Sequence, residues 1–412
     1  MNLYLIIFTA GTYKVEQVYE KHKDLFVELE KHFTLHLVNY TDSESIPSHE
    51  YKMAFIASGG VESAVVRFFS ILPYPITLLT DGLNNSLAAA LEISAWIQSR
   101  DMKVKIIHGS VPNMVNQVLL HHQAFAAKRS LKKKRIGVIG TPASWLVASH
   151  VDYLSAGQRW GVTYTDVSIE TVEKAFHEIT EDEIGPEASL FANRAKGIQE
   201  ATPEELLRAM RLYKAIRRVC QEENLDALTL SCFSLIQSLK TTGCLALSLL
   251  NDEGIPAGCE GDLQSIMTLL MVKELIGKPG FMANPSFVDL ARNEVLLAHC
   301  SIPTKMAEEF IIRNHFETES GIAIQGIVHP GEVTLSKCGG ECLDEYYLSP
   351  GHLIENTNMV TCCRTQLKVR LDKPADYFLH NPLGNHHILI QGNYTDLIQE
   401  FMQQNRCKPR ID

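Results

Sequence analysis

Four short islands in the second half of the chain gather carboxylates, an amide and imidazoles, the side chains that hold divalent cations and carry protons. The first, Gly258-Cys259-Glu260-Gly261-Asp262, follows the apolar helical run Ser238 to Leu250 and opens another, Leu263 to Ile276. Glu260 therefore lies at a helix N-terminus, in a position to face a cleft, although Glu260 and Asp262 would equally serve to complement a helix dipole. The second island is Gly280-Phe281-Met282-Ala283-Asn284-Pro285, where Asn284 before proline also suits a plain turn. The third, Leu296-Leu297-Ala298-His299-Cys300, is an apolar strand ending in imidazole, and a satisfied core histidine is common at such a place. The fourth is Leu383-Gly384-Asn385-His386-His387. Neighbours along a strand alternate in direction, so one of His386 and His387 must face away from any site.

In their joint order these islands resemble the L-fucose isomerase and L-arabinose isomerase families. There, an acidic residue in a Cys-Glu-x-Asp or Ala-Glu-Gly-Asp segment opens a helix, and a second carboxylate follows a Phe-Met-like strand. An apolar strand ending in histidine and a distant Gly-x-His-His strand complete the pattern. The matching positions here are Glu260, Asn284, His299 and His386/His387. Cys363-Arg364-Thr365-Gln366 is similar to a Cys-Arg-Thr-Gln segment of the fucose isomerase-like C-terminal domain, which marks Arg364 and Gln366 as substrate-binding residues. The resemblance covers roughly residues 255 to 412 and is only topological before that.

The resemblance implies a metal-dependent isomerase that interconverts aldoses and ketoses through a cis-enediol. A divalent ion, usually manganese, would be held by Glu260, Asn284, His299 and His386 or His387. Such an ion stabilises charge on the reacting oxygens while a carboxylate carries a proton between C1 and C2. Glu260 is the expected carrier and Asp262 the reserve base. A homo-oligomer, trimer or hexamer, with sites built between subunits is also implied. One departure stands out, because Asn284 occupies the place of the second carboxylate. An amide oxygen still coordinates a hard cation, yet it brings no charge and takes no proton at neutral pH. That favours, as the alternative, a sugar-binding or regulatory protein that kept the pocket and lost turnover.

The elements that must position these residues follow from the pattern of apolar runs. Leu3 to Ala10, Met53 to Ser58, Ile76 to Asp81, Val104 to Gly109 and Arg135 to Gly140 alternate with helical patterns, the rhythm of a parallel sheet wrapped by helices. Further strands are expected at Val162 to Val167 and Ala227 to Cys232. After Phe281 come Glu294 to Cys300, Gly321 to Val328, Glu332 to Lys337, Thr361 to Leu371 and His387 to Gln391, closed by a helix from Thr395 to Gln404. The fold class is α/β, with two Rossmann-like domains at 1–134 and 135–278, the second carrying Glu260, and a β-rich, barrel-like domain at 279–412 that completes the metal site.

Composition narrows the partners. The 412 residues carry a formal net charge of -10, which argues against a surface built for nucleic acid or an anionic membrane and favours a small-molecule partner, a sugar by the resemblance. The basic run Lys132 to Arg135 reads as a solvated helix end. No apolar stretch approaches the roughly 20 residues that span a bilayer, and the apolar start reads as a buried first strand, so a cytoplasmic protein is expected. The ten cysteines lie between Cys220 and Cys407 and are expected as reduced core thiols. Cys338, Cys342, Cys362 and Cys363 make a poor zinc set, because adjacent cysteines in a strand point to opposite faces.

Overall fold

The computed structural model describes residues 1–11 and 14–411, in two compact units, Met1–Phe125 and Ala126–Asp412. In the first unit, strands β1 (Asn2–Phe8), β2 (Thr34–Asn39), β3 (Lys52–Ile56), β4 (Ile76–Leu79) and β5 (Val104–Ile107) form a parallel sheet in the order β2-β1-β3-β4-β5. Both faces of β1 are covered. Leu3, Leu5 and Ile7 enter one core with Phe26 and Phe55, while Ile6 and Phe8 enter another with Ile56 and Leu78. A strand buried on two faces has to be apolar at nearly every position, which is why it reads as an unbroken hydrophobic run.

The second unit begins with β6 (Arg135–Ile139), β7 (Thr163–Val167), the short β8 (Gly197–Ile198), β9 (Ala227–Leu230) and β10 (Ala257–Cys259). All but β8 make a parallel sheet in the order β10-β9-β6-β7. Then follow β11 (Phe281–Asp289), β12 (Glu294–His299), β13 (Glu309–Arg313), β14 (Ala323–Ile327), β15 (Gly331–Gly339), β16 (Glu345–Asn356), β17 (Thr365–Leu371), β18 (His387–Gln391) and β19 (Lys408–Pro409). Antiparallel pairing runs β15-β18-β11-β12-β17-β16, and β16 pairs back onto β15, so six strands close into a barrel. Closure leaves the barrel strands without free edges. The architecture is thus two parallel-sheet α/β layers followed by a β-barrel, the expected fold class.

Helix Leu263–Ile276 joins sheet to barrel. It touches β9 and β10 on one side and β15 and β18 on the other. Its residues from Leu263 to Val272 are all buried, as a helix clasped between two layers requires. The terminal helix occupies Thr395–Gln404, as expected.

Three expectations need correction. The run Ser238 to Leu250 is two helices, Cys232–Leu239 and Cys244–Glu253, broken where Lys240 takes a left-handed φ of 51°. Gly321 to Val328 lies outside the barrel, because its strand β14 joins β13 and β8 in a separate three-stranded sheet. The expected strand from Thr361 starts only at Thr365, and Gln366 holds the loop before it with bonds to Met359 and Cys363.

Candidate active site and metal centre

The site is assembled at the turn that follows β10. Glu260 has φ 61° and Gly261 φ 72°, two successive left-handed residues that reverse the chain before Asp262 caps helix Leu263–Ile276. The loop after β6 packs on this turn, with the backbone N–H of Ala143 donating to the Glu260 carbonyl at 2.9 Å. A Cβ on Gly261 would stand 2.6 Å from the Pro142 Cα. Gly261→Ala is therefore expected to cost about 2–4 kcal/mol, from overpacking against backbone plus left-handed strain. Denaturant unfolding beside the wild type measures it, and a cost below 1 kcal/mol would show that the turn yields freely.

Glu260 divides its two oxygens. Oε2 accepts a 2.6 Å bond from the indole N–H of Trp145, and Oε1 lies 3.6 Å from Nε2 of His386. Burial works to raise the Glu260 carboxyl, but His386, His299 and the Trp145 bond outweigh it and hold the group at about 2, so it is ionised. Asp262 is fully buried behind His386. Its Oδ1 accepts from the Ser265 N–H at 2.8 Å, and its Oδ2 stands 2.9 Å from His386 Nδ1. Burial opposes ionisation here too, yet Lys337 and His386 keep the carboxyl well below the ordinary range. The Nδ1–H of His386 thus donates to Asp262, which turns Nε2 toward Glu260.

The other residues take sides sharply. His299, at the end of β12, is buried edge-on to the His386 ring at a centroid distance of 5.6 Å, and its Nδ1 lies 2.9 Å from the Ser301 hydroxyl. Burial, and then the charge of His386, lower it to about 4, so it is a neutral imidazole. His387 points elsewhere, into a cage of Tyr347, Tyr377 and Phe378, with Nε2 at 3.0 Å from the Tyr377 hydroxyl. Burial and then Lys337 lower it to about 3. Asn284 pairs with Ala298, one residue before His299 on the neighbouring strand.

The two residues named for substrate are tied into the fold. Arg364 spends its guanidinium on the backbone and side chain of Asn314, and Gln366 is buried with bonds to Thr357, Met359 and Cys363. Two residues that sequence reasoning did not single out adjoin the cluster. Trp145 is 54% exposed and stands edge-on to Phe233, and nothing in its loop sequence marks it. Lys337 is wholly buried in the barrel, where it donates to the His386 carbonyl at 2.9 Å and lies 4.0 Å from Asp262 Oδ2. A lysine ending the expected strand Glu332 to Lys337 was the only sequence signal, since a buried lysine needs partners.

The donor set suits a divalent cation. Ligand atoms of Cys259, Glu260 and His299 all lie within 4.8 Å of one another. Among the described residues, His386 Nε2 and Asn284 Oδ1 are buried atoms with no hydrogen-bond partner. Buried polar atoms are normally satisfied, so the orphaned His386 Nε2, 3.6 Å from the ionised Glu260 carboxylate, fits a bound ion.

The chain is similar to sulfoquinovose isomerases. It is 22% identical over 344 residues to that enzyme from Priestia aryabhattai, covering 79% of this chain and 76% of the relative. The match to that from Alkalicoccus urumqiensis is 23% over 293 residues, covering 66% of this chain and 63% of the relative, and to that from Clostridium sp. (strain MSTE9) 27% over 143 residues, covering 34% and 32%. No family model matches the chain. The relatives are sugar isomerases by name, in line with the enzyme that the four islands imply. Among the described residues, no helix is long and apolar enough to cross a membrane.

Proposed function

We propose that the chain is a metal-dependent aldose-ketose isomerase working through a cis-enediol, with sulfoquinovose the first sugar to test because the similar enzymes carry its name. The observation that supports this reading best is the meeting of Glu260, His299 and His386 from three separate elements, with the unsatisfied Nε2 of His386 3.6 Å from the Glu260 carboxylate. When bound, a divalent ion supplies charge stabilisation for the two substrate oxygens at C1 and C2. The hard oxygens of Glu260 and Asn284 by themselves match manganese, the ion implied by the family resemblance.

The residues divide the work. Glu260, ionised by its surroundings, takes the proton from C2 and returns it to C1 on the same face, while the hydroxyl proton passes from O2 to O1. His386 and His299 present imidazole nitrogens to the ion, and Asp262 and Lys337 fix His386 from behind. Trp145 holds one Glu260 oxygen in place and puts an exposed ring beside the reacting carboxylate. Loss of its N–H in Trp145→Phe is expected to cut turnover about fivefold with little change in stability, about 1 kcal/mol, the net worth of a typical hydrogen bond. Steady-state kinetics beside a melting curve reads both. Action in the cytoplasm as a trimer or hexamer belongs to the same reading, and sedimentation tests the assembly.

A second reading, a sugar-binding protein without turnover, is favoured by one observation, the amide of Asn284 where a second carboxylate is expected. Asn284→Asp separates the two. Added charge should tighten metal binding if Asn284 is a ligand, since affinity at hard-cation sites rises with charged ligands. Exchange of the C2 hydrogen of sulfoquinovose with solvent then decides turnover. Exchange in the wild type supports the isomerase; none in either protein, with metal bound, supports the binding protein.

A further inference from the structure

Beside the carboxylate and imidazoles, the candidate centre has a sulfur wall. Cys259 ends β10 and directly precedes Glu260, and its Sγ belongs to the same 4.8 Å cluster of donor atoms as Glu260 and His299. Cys232, at the start of the helix after β9, places its own Sγ 2.9 Å from that of Cys259. Both thiols are buried. Position also matters. Cys259 is held by β9–β10 pairing, with Cys259 opposite Leu230, and its backbone N–H points at the Met282 sulfur at 3.5 Å. The thiol is therefore fixed beside the centre by the sheet itself.

Thiolate donors select borderline and soft ions, whereas carboxylate, carbonyl and water suit magnesium, calcium and manganese. At this centre the charge missing at Asn284 would be restored by sulfur. We propose that Cys259 coordinates the ion together with Glu260, His299 and His386, and that it turns the centre from manganese toward the zinc and cobalt class. This rests on the metal-dependent isomerase reading and adds the ion's identity to it. On binding, the Cys259 S–H bond breaks, its proton leaves to solvent, and the sulfur lone pair forms the bond to the ion. The Cys232 S–H then donates to the Cys259 sulfur, as their separation allows, and supports the thiolate from behind. Metal–sulfur and metal–nitrogen or –oxygen bonds of about 2.3 and 2.0–2.2 Å set tetrahedral donors roughly 3.5 Å apart, so donor atoms that now lie within 4.8 Å of one another close by at most about an ångström on binding.

The experiment uses the full chain, stripped with a chelator and kept reduced with a phosphine so that Cys232 and Cys259 cannot pair oxidatively. Titration with cobalt(II) should raise a near-ultraviolet sulfur-to-cobalt charge-transfer band that saturates at one ion per chain, and zinc should displace the cobalt where manganese does not. Cys259→Ser should lose the band and lower the zinc-over-manganese preference by about tenfold or more, the scale on which even the partners of metal ligands act. Cys232→Ser should keep the band. Cobalt binding without the band in the wild type overturns the proposal whether or not any variant folds, and so does a band that survives Cys259→Ser or vanishes with Cys232→Ser alone. The two readings fail separately. A thiolate band with no C2-hydrogen exchange under any ion removes the isomerase and leaves Cys259 a ligand; exchange without the band removes only Cys259.

Discussion

Glu260→Gln should reduce exchange of the substrate C2 hydrogen with solvent by about 10²–10⁴-fold, the usual contribution of a positioned general base, and weaken the bound ion as well. Glutamine keeps the length of the side chain and an oxygen that can accept from Trp145. It removes the charge and the proton-accepting oxygen, and nothing nearby replaces them. Asp262 is sealed behind His386, and Asn284 is an amide. The loss should therefore persist at saturating metal and sugar. Deuterium incorporation at C2, followed by NMR with the ion in excess, measures it, and full exchange in the variant would remove Glu260 from the chemistry.

The second large effect is expected one layer behind. Asp262→Asn should lower metal affinity or turnover by about 10–100-fold, the range found when a carboxylate supporting a metal-bound histidine is lost. The His386 Nδ1–H would lose its charged acceptor, and the ring would be free to rotate Nε2 away from Glu260, 3.6 Å distant at present. Lys337 would also lose the carboxylate 4.0 Å from its Nζ, and burial already lowers the lysine from its ordinary value. Because unpaired buried charge is costly, Asp262→Asn should be rescued in stability, but not in metal affinity, by adding Lys337→Met. Parallel metal titrations and melting curves for the single and double variants separate orientation from folding. Wild-type metal affinity in Asp262→Asn would show that His386 needs no such support.

What the sequence revealed depended on how local the signal was. Helix Leu263–Ile276 was readable to the residue because Asp262 caps it and Gly277 ends it in a left-handed turn. Strand β18, His387–Gln391, was equally plain between Gly384 and Gly392. Strand β16 was not expected; Pro350 pairs opposite Thr334 within it, and a Cβ on Gly351 would stand 2.5 Å from the Arg370 carbonyl oxygen. Asn284-Pro285 also suited a plain turn, but strand β11 continues past them through a bulge between Pro285 and Phe287. Strand β2, a half-exposed edge, was not expected either. At the site, local rules placed Glu260 and required that one histidine of the pair turn away. Which one turned, and that Trp145 would reach Glu260, depended on contacts across more than a hundred residues, and Lys337 met Asp262 and His386 across 75 and 49.

The closed barrel has a further consequence for how such a site can change. His386 and His387 are neighbours with opposite destinations, one toward Glu260 and the other into the tyrosine cage, and strand β18 is clamped between β11 and β15. A slip of one residue would exchange their roles and break pairing on both flanks at once. The ligand-bearing strands therefore behave as a fixed frame. On the isomerase reading, room for a different sugar would come from side chains outside that frame such as the exposed Trp145 ring, and not from insertions in the loop after β6, whose Pro142 and Ala143 pack on the Glu260 turn.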